Sequence, residues 1–162
     1  MESVDFDRRR HNLIVTGLSE TRDLLHTESG VSLSTDQDKI VHILGVIGKA
    51  DIEINKIQRL GDQSTNRSWP RPIQIVLKND TDRKEILQAA KLLKTANDQL
   101  AKVYLKRDTH PGVRKEMNRL REVEKKEKAK AENQGRNIRY DPKQRSVMVD
   151  DVVIDSYQPS FF

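Results

Sequence analysis

Residues 8–18 read RRRHNLIVTGL, a basic run that leads directly into an apolar segment. Leu13 and Val15 have the two-residue spacing of a strand with one buried face, and Gly17 ends that strand. The same order returns at residues 71–78, which read RPIQIVLK. Because a segment with helical spacing of apolar residues follows each strand at a similar distance, the repeat predicts a split β-α-β sandwich.

The first helical segment follows a polar loop over residues 19–34. Its apolar residues recur at i, i + 3, i + 4 and i + 7 and are Ile40, Ile43, Leu44 and Ile47. This spacing marks one buried helix face and predicts a helix that begins near Thr35 or Asp36 and ends at Gly48. A second strand is predicted over residues 52–60, before a turn-rich stretch that holds the single tryptophan.

The second helical segment follows the RPIQIVLK strand. Asp82, with Glu85 three residues later, predicts a capping box at its start. Its apolar residues are Ile86, Leu87, Ala90 and Leu93. Alternation over residues 103–106 then predicts a fourth strand, which carries Tyr104 on its outward face. The resulting order, β-α-β-β-α-β, belongs to the ferredoxin-like fold, which RNA recognition modules share.

The pattern changes after Asp108. Pro111 opens a predicted helix that Gly135 ends, with an apolar stripe in its first half and mainly Lys, Glu and Ala in its second half. Short strands are predicted at residues 137–140, 146–149 and 152–155. We therefore predict an α+β protein in three parts. These are a basic N-terminal arm (1–11), a ferredoxin-like βαββαβ RNA recognition module (12–108) and a small helix-plus-β-hairpin C-terminal domain (109–162).

Positive charge is concentrated in the C-terminal third of the chain. The formal net charge is +5, yet residues 1–101 carry 15 Lys and Arg against 15 Asp and Glu, whereas residues 102–145 carry 15 against 7. A localised basic surface favours a polyanion such as nucleic acid, or an anionic membrane. The alternative interpretation is a solvated, lysine-rich helix face.

Residue types and spacing argue against an enzyme, and we expect neither a cofactor nor a metal. The chain has no cysteine, which excludes disulfides, thiolate metal sites and cysteine nucleophiles. Its four histidines fall in four different predicted elements, without the paired spacing of metal ligands. No stretch approaches the roughly 18 apolar residues of a membrane span, and the N-terminus lacks the apolar region of a signal peptide. We expect a soluble intracellular protein.

The predicted sheet lacks the usual platform for stacking bases, which is formed by outward aromatic residues on the first and third strands. The outward positions there are Ile14, Thr16, Gln74 and Val76. RNA binding would therefore rely on cations that contact phosphates, with a few rings assisting. The candidate contacts are Arg8, Arg9, Arg10, Arg59, Arg67, Arg71, Tyr104, Lys106, Arg107, Arg114, Lys115, Arg136, Arg139, Tyr140, Lys143 and Arg145. The alternatives are ordinary exposed charges and, for the two tyrosines, cross-strand packing.

Six segments together resemble the first open reading frame protein of LINE-type non-LTR retrotransposons. They are RRRHNLIVTGL (8–18), RLG (59–61), RPIQIVL (71–77), DRKEILQAAKLLK (82–94), VYLKRD (103–108) and IRYDPK (138–143). The resemblance implies a noncanonical RNA recognition module and a small C-terminal domain that jointly clamp single-stranded RNA, with single-stranded DNA left open as a second ligand. It also implies packaging of the element's RNA into a ribonucleoprotein, nucleic-acid chaperone activity and a cytoplasmic location, with the nucleus left open as a second location.

Position by position, the resemblance adds one candidate residue and shows two departures. The basic residue after the paired alanines of the second helix falls on Lys91. The family's arginine pair falls on Arg114 and Lys115, where lysine keeps the charge but loses the bidentate fork. Asp141 is inserted into the family's Tyr-Pro segment. Family members self-associate through an upstream coiled coil that is absent from this chain, so we expect a monomer that binds more weakly.

The rival hypothesis is a protein-interaction module without a direct nucleic-acid role. In that case the outward sheet face, with Ile14 and Val76, would dock a partner chain. The two hypotheses differ in their response to salt. Nucleic-acid binding falls steeply as salt rises, whereas an apolar docking surface hardly responds.

Overall fold

The computed structural model describes residues 7–20, 23–63 and 68–158. Contacts between Cα atoms divide the chain into two compact units, Met1–Asp108 (unit 1) and Thr109–Phe162 (unit 2). Both units combine helices with antiparallel sheets, so the α+β class is confirmed. Arg67 and the first six residues of the predicted basic arm lie outside the described residues.

Unit 1 contains a four-stranded antiparallel sheet. Its elements in chain order are β1 (Asn12–Thr16), β2 (Leu25–His26), β3 (Ser32–Leu33), α1 (Asp36–Val46), β4 (Ile54–Arg59), β5 (Ile73–Leu77), α2 (Asp80–Ala89), α3 (Leu93–Ala96) and β6 (Tyr104–Arg107). The strand order in the sheet is β4-β5-β1-β6, so β1 and β5 are central. Strands β2 and β3 form a separate short hairpin.

The alternation predicted for the two central strands is confirmed. Leu13 and Val15 of β1 are fully buried, and they pair with Ile75 and Ile73 of β5. The helices contribute the rest of this core through Ile40, Ile43, Leu44, Ile47, Ile86 and Leu93. Each such side chain contributes about 1.5–3 kcal/mol when it is fully buried, so one face of the sheet is held against the helices.

Helix α1 has the boundaries that the sequence predicts, whereas the predicted start of α2 is wrong. At α1, the Thr35 hydroxyl accepts a hydrogen bond from the Asp38 N–H at 3.0 Å. At α2, the cap is Asn79, whose side-chain oxygen accepts from the Asp82 N–H at 2.8 Å. Asp82 therefore lies inside the first turn and forms no capping box, since Asn79 has already taken the capping position.

Part of the segment predicted as a polar loop, residues 19–34, forms strands. It contains the β2–β3 hairpin, and Leu25 of β2 is buried in the unit 1 core. Gly30 has a φ of +82° at the hairpin turn, a conformation that favours glycine. Leu25 thus anchors the hairpin to the core, although most of the described residues of this segment are exposed.

A buried lysine holds the start of the same segment. The Lys39 side chain is fully buried in α1, and its ammonium donates to the carbonyls of Ser19, Glu20 and Asp23 at 3.2, 2.7 and 2.6 Å. A buried ammonium is costly unless its hydrogen bonds are made. Lys39 therefore fixes the path of the backbone between β1 and β2.

Unit 2 is a helix packed on a three-stranded antiparallel sheet. Its elements are α4 (Pro111–Ala129), β7 (Ile138–Asp141), β8 (Ser146–Val149) and β9 (Val152–Ser156), with the strand order β7-β8-β9. The α4 helix contacts β7 and β8, and its buried residues are Val113 and Leu120. Asp150 and Asp151, both with positive φ, form the predicted tight turn between β8 and β9.

Helix α4 ends six residues before the predicted end at Gly135. The backbone becomes extended at Lys130, and a short 3₁₀ turn, Ala131–Asn133, follows. The Glu127 carbonyl in the last helical turn accepts from the Lys130 N–H at 3.2 Å and from the side chain of the buried Asn133 at 3.1 Å. Gly135, with a φ of +82°, belongs to the connection that leads into β7.

Candidate nucleic-acid interface

The side of the unit 1 sheet opposite the core forms a face that we call the outer face. It carries Lys56, Gln58, Gln74, Val76, Asn12, Ile14, Thr16, Tyr104 and Lys106. Neighbouring strands place Thr16 beside Tyr104, and Ile14 between Gln74 and Lys106. The outer face therefore combines amide, apolar and basic side chains with a single ring.

Tyr104 is the centre of a small cationic cluster on the edge strand β6. Its ring lies 5.1 Å from the Lys94 ammonium and 5.8 Å from the Lys106 ammonium, measured to the ring centroid, and the residue is 46% exposed. We call these three residues the Tyr104 cluster. An exposed lysine–ring contact is worth about 0.5–1 kcal/mol, whereas a base stacked on a ring is worth about 1–3 kcal/mol. A base can therefore displace a lysine from the ring and leave the ammonium for a phosphate.

Lys94 is a residue that the sequence reasoning missed. It lies on α3, three residues after the predicted contact Lys91, which is exposed in the preceding 3₁₀ turn. Residues three apart share a helix face, so this spacing was the available signal. Arg107, at the end of β6, is also exposed.

Near the end of β6, a polar network occupies the outer face. The buried Asp108 carboxylate accepts from Asn12 Nδ2 at 3.0 Å and from Gln74 Nε2 at 2.8 Å. It also forms an ion pair with Arg9 at 2.8 Å. This pair ties Arg9 to the sheet, while Arg8 and Arg10 beside it are exposed.

Arg59 is directed into unit 1 and not towards solvent. Its guanidinium makes two hydrogen bonds to the Asp36 carboxylate, from Nε at 3.0 Å and from Nη2 at 2.8 Å. It also donates to the backbone carbonyls of Leu18, Ser19 and Arg71. Only 6% of the side chain is exposed. Because these donors already have internal partners, the candidate interface omits Arg59, which was predicted to contact RNA.

Arg71 is likewise engaged within unit 1. Its guanidinium pairs with Glu20 at 3.1 Å, and its backbone N–H donates to the same carboxylate at 2.7 Å. The hydrogen bond from the Arg71 side chain is the main cause that lowers the pKa of Glu20 to about 2, with Arg59 adding to the effect. Arg71 was also predicted to contact RNA, and this internal pair removes it from the candidate interface as well.

The Glu20–Arg71 pair makes the stability of unit 1 depend on pH in a defined direction. Since the folded pKa of about 2 lies below the ordinary 4.5, ionised Glu20 stabilises the fold above pH 4.5 and this contribution is lost as the pH falls towards 2. The side chain is 20% exposed, so solvent screening limits the contribution to about 1–2 kcal/mol. We expect Glu20→Gln to lower the free energy of unfolding by this amount at neutral pH, as measured by urea unfolding.

The deficit of Glu20→Gln should shrink steadily as the pH falls from 4.5 towards 2, because the unfolded wild-type chain then binds a proton at Glu20 that the folded chain does not bind. Urea unfolding at several pH values measures this change directly. A deficit that stays constant down to acid pH would contradict the ion-pair explanation and would point to lost packing.

In unit 2, the predicted cations differ in how they are held. Arg114 and Lys115 are exposed in the first turn of α4, and Lys143 is exposed before β8. The other arginines have partners: Arg136 pairs with Asp150 at 2.7 Å, Arg139 pairs with Asp151 at 2.9 Å, and Arg145 lies 5.1 Å from the Tyr157 ring centroid. The pairs with Asp150 and Asp151 are largely exposed, so a phosphate can replace those carboxylates at small cost.

Tyr140 is placed differently from Tyr104. It is half-buried in β7 and lies opposite Val147 of β8. Its hydroxyl is buried and makes no hydrogen bond to any residue that the structure describes. This placement corresponds to cross-strand packing, the alternative to stacking with RNA, and it leaves little of the ring for a base.

The comparisons with known proteins assign no family. No protein-family model matches the chain, and a search of curated proteins found no match either. None of the described helices is both long and apolar enough to span a membrane. Within the same described ranges, no three histidine or carboxylate side chains lie together as metal ligands would.

Proposed function

We propose that this chain binds single-stranded RNA, chiefly through its phosphates. The observation that carries the proposal is the Tyr104 cluster, in which an exposed ring on the outer face has two lysine ammonium groups near it, at 5.1 and 5.8 Å from the ring centroid. A ring supplies a stacking surface that accepts any base, and the lysines supply charge for the neighbouring phosphates. This combination suits binding of single strands with little sequence preference.

We also propose that unit 1 is a ferredoxin-like βαββαβ RNA recognition module and that unit 2 is its helix-plus-β-hairpin C-terminal domain. In support, β1 and β5 are the central strands, and α1 and α2 each follow one of them in the chain. The β2–β3 hairpin is then an insertion between β1 and α1. In this fold the sheet face opposite the helices is the one that contacts RNA.

Exposed cations of both units extend the proposed binding beyond the Tyr104 cluster. They are Arg8, Arg10, Lys91 and Arg107 in unit 1, and Arg114, Lys115 and Lys143 in unit 2. Phosphate contacts of this kind carry affinity without sequence information. Together with the resemblance to LINE-type retrotransposon proteins, this favours a cytoplasmic role in packaging the element's RNA. Phosphate contacts that do not depend on the RNA sequence also suit a nucleic-acid chaperone, which must let one strand replace another.

The test is fluorescence anisotropy of the full chain with a labelled single-stranded RNA of about 25 nucleotides, titrated across salt concentrations. We expect micromolar binding that weakens steeply with salt, by about 0.7 logarithmic units per tenfold rise in salt for each phosphate neutralised. No binding at low salt by a chain that circular dichroism shows to be folded would overturn the proposal. The protein-interaction module would then be the better hypothesis.

A further inference from the structure

We infer that Trp69 stacks on a base of the same RNA strand that contacts the Tyr104 cluster, an inference that rests on the proposed function. Trp69 is the only tryptophan of the chain and is 80% exposed. Tryptophan is highly buried on average, so an indole this exposed is unusual. An exposed aromatic surface of this size gains free energy when a flat apolar partner covers it.

The topology places Trp69 at the same end of the sheet as Tyr104. Trp69 belongs to the connection between β4 and β5, which leaves the sheet after Arg59 and returns at Ile73. At this end β1 finishes with Thr16, whose register partner is Tyr104, the first residue of β6. The two exposed rings thus border one end of the sheet, with β5 and β1 between them.

The backbone next to Trp69 is held firmly. Two residues later, the Arg71 N–H donates to Glu20 at 2.7 Å, and the Arg71 carbonyl accepts from the Arg59 guanidinium at 2.6 Å. The Leu60 N–H donates to the Pro72 carbonyl at 2.8 Å, which closes the base of the connection. The indole is therefore exposed close to a fixed point, and a ligand need not order a long loop to reach it.

A nucleobase is the occupant that these observations favour. The indole is uncharged and flat, and base stacking on it tolerates any sequence, as phosphate binding at the lysines of the Tyr104 cluster does. A strand that lies across this end of the sheet would stack one base on Tyr104 and a later base on Trp69. The Glu20–Arg71 and Asp36–Arg59 pairs would then serve binding indirectly, because they position the backbone next to the indole.

Because Trp69 is the only tryptophan, the tryptophan emission of the full chain, excited at a wavelength where tyrosine does not absorb, reports on this site alone. We would titrate unlabelled single-stranded RNA of about 25 nucleotides and follow tryptophan emission, alongside anisotropy of the labelled strand. The control ligand is an abasic strand of equal length, which keeps the phosphates and removes the bases. We expect RNA to quench the emission with the same midpoint as the anisotropy, and the abasic strand to leave it unchanged.

Substitution provides the second readout. Trp69→Ala should weaken RNA binding by about 5- to 150-fold, as expected for one lost base stack, and Trp69→Phe should retain most of the affinity. Val31→Ala, at an exposed apolar residue of the β2–β3 hairpin, is the matched control and should leave affinity unchanged.

RNA binding without quenching, with Trp69→Ala at wild-type affinity, would overturn the inference and leave the proposed function standing. Quenching by the abasic strand as strongly as by RNA would also overturn it, because stacking requires bases. Absence of RNA binding in the anisotropy experiment would overturn both.

Discussion

Arg59→Ala is expected to lower the free energy of unfolding of unit 1 by about 3–5 kcal/mol, the usual result of removing one partner from a buried ion pair. The substitution leaves the Asp36 carboxylate without its two guanidinium hydrogen bonds. It also removes a donor from the carbonyls of Leu18 and Arg71, which lie in different connections of the sheet. Native-state hydrogen exchange of the amides in β1 and β5 measures the loss.

The matched control is Lys78→Ala, because Lys78 forms an ion pair that is exposed to solvent, whereas the Arg59 pair is buried. Its ammonium lies 3.6 Å from the Glu53 carboxylate, and the two side chains are 67% and 69% exposed. A pair this exposed is worth about 0–1 kcal/mol. If Arg59→Ala lowers the free energy of unfolding no more than Lys78→Ala does, the contacts of Arg59 do not stabilise unit 1. Arg59 would then again be a candidate RNA contact.

The elements of this chain that could be predicted from sequence are those set by short-range periodicity. Leu13 and Val15, or Ile73 and Ile75, are two residues apart, so their shared face follows from strand geometry alone. The apolar face of α1 follows in the same way from helix geometry. In these segments the local pattern and the tertiary core agree, which is why the predictions are confirmed.

The parts that could not be predicted depend on partners far away in the chain. Lys39 looks like a surface charge in the sequence, but its acceptors lie 16 to 20 residues upstream. Arg59 reaches Asp36 and Leu18 across 23 and 41 residues. Sequence spacing gives no information on such contacts, so a buried structural arginine and an exposed RNA-binding arginine look the same.

The residues of the candidate site show the same difference between local pattern and distant contact. Tyr104 was predicted because its outward position follows from the alternation of β6. Lys94 was missed because its contact with Tyr104 depends on how α3 lies beside the edge strand. Composition shows that the chain is basic, but it does not show which arginines are exposed. Only the structure separates Arg71, which pairs with Glu20, from exposed residues such as Arg107 and Arg114.

Combining Lys94→Gln, Tyr104→Ala and Lys106→Gln is expected to weaken single-stranded RNA binding by at least about tenfold at physiological salt. Loss of one stacked base accounts for about 1–3 kcal/mol. Loss of two phosphate contacts should also lower the slope of log affinity against log salt by about 1.4. Anisotropy across salt concentrations measures both quantities, and the slope separates the charge effect from the stacking effect.

The control for this variant removes the same two charges elsewhere in unit 1. Lys49→Gln with Lys84→Gln gives the same net charge, but Lys49 pairs with Glu85 at 3.0 Å and Lys84 with Asp80 at 2.9 Å. Lys84 lies in α2 and Lys49 follows the end of α1, and the apolar faces of these two helices cover the other side of the sheet. We therefore expect the control to keep the wild-type salt slope. If the two variants lose affinity and slope equally, RNA senses only net charge, and the Tyr104 cluster is not a binding site.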